Sequence, residues 1–169
     1  MSRQVSHGSA GEYQADEQAG VARLSWRVSG RCTEDKGHTL VYDRIRSTYI
    51  VLTPEEWVRR HLVEFLINHC KAPLLSIIEE YPAIINGMAQ RADVVVVGSD
   101  AKPLLLAECK APDINFKNPD TLHEVFLQAS RYNAVIKARY LILTNGLQHF
   151  CYEYSQTGYA PLNKFPILG

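Results

Sequence analysis

Two apolar runs that lie close together in the chain constrain the fold more than any other feature of the sequence. Residues 93–98 contain four consecutive valines, and residues 103–110 contain three consecutive leucines. The four residues between the runs, 99–102, are typical of a turn, so the sequence predicts a β-hairpin. Because polar residues hardly interrupt the runs, we expect both faces of these strands to be covered.

Charged side chains stand at one end of this apolar hairpin. Glu108 and Lys110 are two residues apart on one strand, so their side chains project from the same face. With the turn centred near residue 100 or 101, the numbers of paired residues sum to about 201, which places Asp93 within one position of Glu108. Facing carboxylates repel each other, and burying unpaired charge is unfavourable. A divalent cation resolves this conflict, because Mg²⁺ prefers carboxylate, phosphate and water oxygens.

The same three side chains predict a hydrolytic chemistry. An ammonium beside a metal-binding carboxylate pair can orient an attacking water and offset developing negative charge. Together the groups suit metal-assisted hydrolysis of a phosphodiester. The alternative is an ordinary exposed strand end, because a lone Glu-x-Lys is common in proteins.

The segments around the hairpin complete an α/β pattern. Helical spacing predicts helices over 54–70, opened by Thr53 as N-cap and Pro54 at the first position, and over 121–137. Further apolar runs predict strands at 40–42, 49–52, 74–79, 140–144 and 148–154. Residues 81–87 predict a bent connection or a hairpin, and residues 145–146 a turn.

The first 37 residues lack a sustained period and are rich in glycine and polar side chains. We interpret residues 1–37 as a flexible or weakly ordered extension, with a short strand at 21–28, and residues 38–169 as one folded domain.

Composition limits the classes of partner and compartment. Lysine and arginine number 18, as do aspartate and glutamate, so a nucleic-acid partner must be argued from local chemistry. No apolar run is long enough for a membrane span, and the first residues lack a secretory signal, so we expect a cytoplasmic protein without membrane contact. The four cysteines are far apart in sequence, which disfavours zinc and disulfides.

Several strings of residues resemble one known superfamily when they are taken together. Residues 90–97 read QRADVVVV and 104–112 read LLLAECKAP; 53–59 read TPEEWVR, 128–133 read QASRYN and 143–147 read LTNGL. This combination resembles the PD-(D/E)XK nucleases, and more narrowly the N-terminal nuclease domain of type I restriction enzyme R subunits in a small stand-alone form. The resemblance runs from about Leu40 to Tyr154. It implies a restriction-endonuclease-like α/β fold, with a mixed central sheet flanked by helices in the order α-β-β-β-α-β.

The resemblance also implies roles for individual residues. Asp93 and Glu108 match the metal-binding acids, Lys110 the catalytic lysine, and Gln128 with Tyr132 the Gln-x-x-x-Tyr motif. The spacing of four places Gln128 and Tyr132 on one helix face, where the alternative for Tyr132 is a place in the core. The sequence departs from the family pattern at residue 92, where alanine stands in place of the proline that shapes the backbone before the metal-binding acid.

Two further sets of side chains are candidates for the site. Glu56, in the first helix, and Glu80, before the hairpin, are candidate additional metal ligands. The candidate phosphate contacts are Arg59, Arg91, Lys117 and Arg131. For each of these residues the alternative is a solvated surface charge.

The sequence therefore predicts a Mg²⁺-dependent nuclease, with Mn²⁺ as a substitute metal, that hydrolyses phosphodiester bonds with DNA as the expected substrate. The alternative is a catalytically inactive nucleic-acid-binding or protein-interaction module on the same fold, and hydrolysis of a small phosphorylated substrate is a third interpretation. The chain lacks a G-x-x-x-x-G-K-[ST] phosphate loop, so we expect any motor to be a separate chain. A homodimer is expected by analogy only.

Overall fold

The computed structural model of the protein describes residues 32–169. Within them lie two sheets and two α-helices. The small antiparallel sheet consists of β1 (Cys32–Asp35), β2 (His38–Asp43) and β3 (Thr48–Val51). The large sheet has the order β4 (Ile77–Ile85), β5 (Met88–Val97), β6 (Pro103–Cys109), β7 (Tyr140–Thr144), β8 (His149–Ser155) and β9 (Gly158–Leu162). In the large sheet β6 and β7 are parallel, and the other neighbouring strands are antiparallel.

The two helices begin at side-chain caps. Helix α1 (Pro54–Asn68) starts after Thr53, whose hydroxyl accepts a hydrogen bond from the Glu56 amide at 3.1 Å. Helix α2 (Pro119–Ile136) starts after Asn118, whose side chain accepts a hydrogen bond from the Asp120 amide at 2.9 Å. Each cap satisfies an amide that the helix itself leaves free, which is worth about 1 kcal/mol. The order α1-β4-β5-β6-α2-β7 confirms the predicted mixed α/β fold.

The β5–β6 hairpin lies inside the large sheet and is covered on both faces, as its apolar pattern predicts. Val94 pairs with Ala107 and Val95 with Leu106, so the numbers of paired residues sum to the predicted 201. Alternate residues of the strands pack on opposite faces: Val94 contributes to the core under α1, and Val95 to the core under α2. Both valines are fully buried, and such burial stabilises the fold by roughly 1.5–3 kcal/mol per side chain.

A helical crossover connects the two parallel strands. The chain leaves β6, passes through α2 and returns as β7 beside β6, as a parallel pair requires. The backbone amide of Lys110 donates to the carbonyl of Thr144 at 2.8 Å, which ties the carboxyl ends of β6 and β7 together. Asp93, Glu108 and Lys110 therefore lie next to the start of the crossover.

The strand predicted at 74–79 needs correction. Residues Leu74–Ser76 form a single turn of 3₁₀ helix, and the strand β4 then runs from Ile77 through Pro82 to Ile85. Residues 81–87 thus belong to a β4–β5 hairpin with its turn at Asn86 and Gly87, the second of the two predicted alternatives. Proline is tolerated because β4 is an edge strand, whose amides on one side need no partner. The same reasoning explains β9, which contains Gly158 and Pro161 and was not predicted: it forms the other edge.

The small sheet includes part of the predicted N-terminal extension. Cys32–Asp35 form β1, which pairs with β2 through a turn at Lys36 and Gly37, both with positive φ. The extension predicted to end at residue 37 therefore includes a strand. Residues 1–31, including the strand predicted at 21–28, lie outside the described residues. No helix in residues 32–169 combines the length and apolar character that a membrane crossing requires.

Candidate active site

Asp93 is held in place from two sides. One carboxylate oxygen, Oδ2, accepts a hydrogen bond from the Cys109 amide on the neighbouring strand at 2.7 Å. The other, Oδ1, accepts from Nη2 of Arg59 on α1 at 3.0 Å. These contacts fix the Asp93 carboxylate where β5 and β6 meet α1.

Glu108 is the most buried acid of this group. Glu108 is 3% exposed, and its Oε1 accepts a hydrogen bond from Lys110 Nζ at 2.8 Å. Within residues 32–169 its other oxygen, Oε2, has no hydrogen-bond partner although it is buried. Burial, and then the charge of Asp93, raise the pKa of Glu108 to about 7 against the opposing effect of Lys110. Such a carboxyl group is only partly ionised at neutral pH, and additional positive charge would favour its ionised form.

Lys110 is oriented by two acceptors. Its Nζ donates to Glu108 at 2.8 Å and to Oε1 of Gln128, on α2, at 3.0 Å. Burial lowers the pKa of Lys110, but the carboxylates of Glu108 and Asp93 outweigh that effect and raise it overall. Lys110 is therefore a charged ammonium at neutral pH. Because an ammonium has three donors, two contacts leave one hydrogen for another acceptor.

The residues of the Gln-x-x-x-Tyr motif lie in different environments. Gln128 is partly buried and contacts Lys110, whereas Tyr132 is 8% exposed and packs in the core between α2 and the large sheet with Val95 and Leu106. The structure thus brings Gln128 to the site and places Tyr132 in the core, the alternative weighed from the sequence. A role for Tyr132 toward substrate stays a prediction.

The acid of α1 that interacts with this group is Glu55, not Glu56. Burial, followed by the charge of Asp93, raises the pKa of Glu55, whose own charge acts on Glu108 and Lys110. Glu56 instead pairs with Arg59 and Arg60, both at 2.9 Å, and its role as a metal ligand stays a prediction. The two glutamates are about 100° apart around the helix axis, and the sequence pattern did not show which one faces β5 and β6.

Glu80 stands beside the group, on the neighbouring strand. The β4–β5 pairing includes Glu79 with Val94 and Tyr81 with Ala92 but omits Glu80 and Asp93, so these two acids lie level with each other. Glu80 has a positive φ of 50° and a partly exposed side chain. Its Oε2 accepts from Arg91 at 3.2 Å, and its Oε1 lies 3.8 Å from Arg59 Nη1.

The predicted phosphate contacts divide into one buried and three exposed residues. Arg59 is 7% exposed and engaged with carboxylates, so the structure does not present it on the surface. Arg91, Lys117 and Arg131 are exposed, on β5, on the loop before α2 and on α2 itself. Contact with nucleic acid stays a prediction for each of them.

A comparison with known protein families matches residues 54–166 to the type I restriction enzyme R protein N terminus. The chain belongs to this family. The matched region begins at the first residue of α1 and includes Asp93, Glu108, Lys110 and Gln128, whereas the small sheet precedes it. A search of curated proteins found no match to the chain. The region that matches the R-protein N-terminal family thus contains the whole candidate site. Membership of this family connects the protein with restriction.

In this member of the R-protein family the donor set fits a hard divalent cation. Asp93, in the middle of β5, and Glu108, near the end of the adjacent β6, contribute carboxylate oxygens, and the charge of Glu55 on α1 acts on Glu108. Glu108 Oε2 is buried and has no hydrogen-bond partner in the described chain. A cation bound at this oxygen would favour the ionised form of the Glu108 carboxyl group. Oxygen ligands of this kind are those that Mg²⁺ prefers.

A second acidic cluster has a different character. Oxygens of Asp43, Glu56 and Glu79 lie within 4.8 Å of one another. The Arg60 guanidinium forms ion pairs with all three: Nη1 lies 2.8 Å from Asp43, Nε lies 2.9 Å from Glu56, and Nη2 contacts Glu79. Arg60 therefore shares its positive charge among the three acids, while Arg46 also pairs with Asp43 and Glu79 and Arg59 with Glu56. The cluster joins the small sheet to α1 and β4.

Proposed function

We propose that the protein is a Mg²⁺-dependent nuclease that hydrolyses phosphodiester bonds in DNA in the context of restriction. The observation that carries this proposal is the meeting of Asp93, Glu108 and the ammonium of Lys110 at one end of the buried hairpin. Family membership supports the proposal, because it connects the chain with restriction enzymes.

Asp93 and Glu108 would hold the metal, and Glu55 is positioned to contribute as a third acid. A bound Mg²⁺ would supply Lewis-acid stabilisation of the phosphate and lower the pKa of an attacking water. The ionised form of Glu108 would become favourable beside that charge, which compensates the burial that now raises its pKa to about 7.

Lys110 acts on the water and on the developing charge. Glu108 and Gln128 hold two of its three ammonium hydrogens, so the third can be donated to a water or to a phosphate oxygen. A positive charge fixed in this way needs little reorganisation as the phosphorane-like transition state gains negative charge. Gln128 serves as a positioning residue, because it limits the orientations that Nζ can adopt.

The test is a cleavage assay of the purified protein on supercoiled, linear, branched and single-stranded DNA and on RNA, with Mg²⁺ and with EDTA. We expect metal-dependent cleavage by the wild type and its loss in Lys110→Ala. The matched control is Lys102→Ala, which removes an exposed lysine next to the turn of the same hairpin. Cleavage by Lys110→Ala at the wild-type rate would refute the assignment.

A second candidate is a non-catalytic nucleic-acid-binding or protein-interaction module. The observation that favours it is the 3.0 Å contact between Arg59 and Asp93, which neutralises the acid without a metal. Calorimetric titration with Mn²⁺ separates the two, since a nuclease site binds the ion and loses it in Asp93→Asn. Absence of Asp93-dependent binding would favour the module.

One partner assignment follows by analogy and stays a prediction. We expect a homodimer by analogy with nucleases that cut both strands. Light scattering at several protein concentrations measures the oligomeric state, and a monomer throughout would contradict the dimer.

A further inference from the structure

Arg59 lies between two pairs of acids at the border of the site. On one side its Nη2 is 3.0 Å from Asp93 and 3.7 Å from Glu55. On the other side its Nη1 is 2.9 Å from Glu56 and 3.8 Å from Glu80. The side chain is 8% exposed, so water screens these interactions only weakly.

The guanidinium occupies an oxygen that a metal would use. Asp93 Oδ2 already accepts the Cys109 amide, and Asp93 Oδ1 accepts Arg59. A divalent cation at this carboxylate would therefore meet a positive charge within a few ångströms, and the two would repel each other. The cation and Arg59 compete for the same acid.

The second pair of acids gives Arg59 an alternative position. A buried guanidinium that lost its only partner would be strongly destabilising. Here Nη1 already contacts Glu56, and Glu80 lies close enough to receive the group after a small displacement. Arg59 can thus leave Asp93 and remain paired.

We infer that Arg59 is a positioning residue that sets the metal affinity of the site: it neutralises Asp93 when no metal is bound, and metal binding displaces it toward Glu56 and Glu80. This inference rests on the proposed function, because it requires a cation at Asp93. It makes Arg59 an internal competitor of the metal, not a phosphate contact on the surface.

Calorimetric titration with Mn²⁺ tests the inference without reference to activity. Replacing Arg59 by methionine keeps much of the apolar stem and removes the charge, so Arg59→Met should lower the Kd for Mn²⁺ by about tenfold. The matched control is Arg139→Met, which removes an exposed arginine paired with Glu153, and its Kd should equal that of the wild type.

Glu80→Gln tests the displaced position and is also informative if Arg59→Met does not fold. The partly exposed Glu80 side chain tolerates this isosteric change, which weakens the alternative partner of Arg59 and should raise the Kd for Mn²⁺. In the Arg59→Met background, Glu80→Gln should have no effect, because Glu80 acts through Arg59. A metal-ligand role for Glu80 would instead weaken binding in both backgrounds and overturn the inference.

The remaining outcomes separate this inference from the function on which it rests. Asp93-dependent Mn²⁺ binding in the wild type, together with an equal or higher Kd in Arg59→Met, overturns the role of Arg59 and leaves the nuclease proposal standing. An unchanged or lower Kd in Glu80→Gln also overturns it. Absence of Mn²⁺ binding in the wild type overturns the proposed function, and the inference with it.

Discussion

Replacing Glu108 by glutamine should make the metal-free protein more stable at alkaline pH. Glu108 is 3% exposed, and its Oε2 lacks a hydrogen-bond partner in the described chain. Its pKa is raised from 4.5 to about 7, mainly by burial. Between these two values the folded protein binds more protons at this group than the unfolded chain does, so stability is lost as pH rises.

The interval from 4.5 to about 7 fixes the size of the effect. One pKa unit corresponds to about 1.4 kcal/mol, so ionising Glu108 lowers the free energy of unfolding by about 3 kcal/mol. The stability that the neutral Glu108 carboxyl group contributes is complete below pH 4.5 and is lost above about pH 7. Glutamine has nearly the same shape and no charge, so Glu108→Gln lacks this loss.

Urea denaturation of both proteins in EDTA, from pH 4.5 to pH 8, measures the effect. The difference in the free energy of unfolding between Glu108→Gln and the wild type should change by about 3 kcal/mol over this range, in favour of the variant at pH 8. Added Mg²⁺ at pH 8 should stabilise the wild type and not the variant. A difference that stays constant across the pH range would refute the reasoning.

Three other predictions concern residues around the site and in the core. Burial lowers the pKa of His149 from 6.5 to about 4, so the stability that the neutral imidazole contributes is complete above pH 6.5 and is lost as pH falls toward 4. His149→Gln should remove this loss in urea denaturation, and an unchanged loss would contradict the prediction. Arg60→Met removes the cation that three buried carboxylates share and leaves them only their ion pairs with Arg46 and Arg59. It should therefore lower the free energy of unfolding at pH 7 by about 3 kcal/mol, the lower end for breaking a buried ion pair, whereas a loss below about 1 kcal/mol would argue against a structural role. Gln128→Ala removes one hydrogen-bond acceptor of Lys110, so kcat for DNA cleavage should fall by about tenfold to a hundredfold while the Kd for Mn²⁺ stays unchanged. A change in the Kd for Mn²⁺ alone would contradict the positioning role of Gln128.

The sequence was informative where local pattern decides the structure. Uninterrupted apolar residues and a turn of fixed length determined the β5–β6 register, so the pairing of Val94 with Ala107 followed from counting. The same counting brought Asp93 to the level of Glu108. The predicted helix cap at Thr53 likewise depends on a few adjacent residues.

Features that depend on the position of an element within the sheet did not follow from the sequence. Pro82 left a bent connection and a hairpin both open because proline interrupts an inner strand, but β4 is an edge strand and continues through this residue. The choice between Glu55 and Glu56 depends on how α1 is rotated against the sheet. The Arg60 cluster unites residues from Asp43 to Glu79, a separation over which local pattern carries no signal.

The position of a bound metal tests the central proposal most directly. Crystals grown with Mn²⁺ should show an anomalous peak between the carboxylates of Asp93 and Glu108, with metal–oxygen distances of about 2.1 Å, as for Mg²⁺. The guanidinium of Arg59 should then contact Glu56 and not Asp93. Mn²⁺ bound only elsewhere on the protein, with Arg59 still on Asp93, would contradict the proposed metal site.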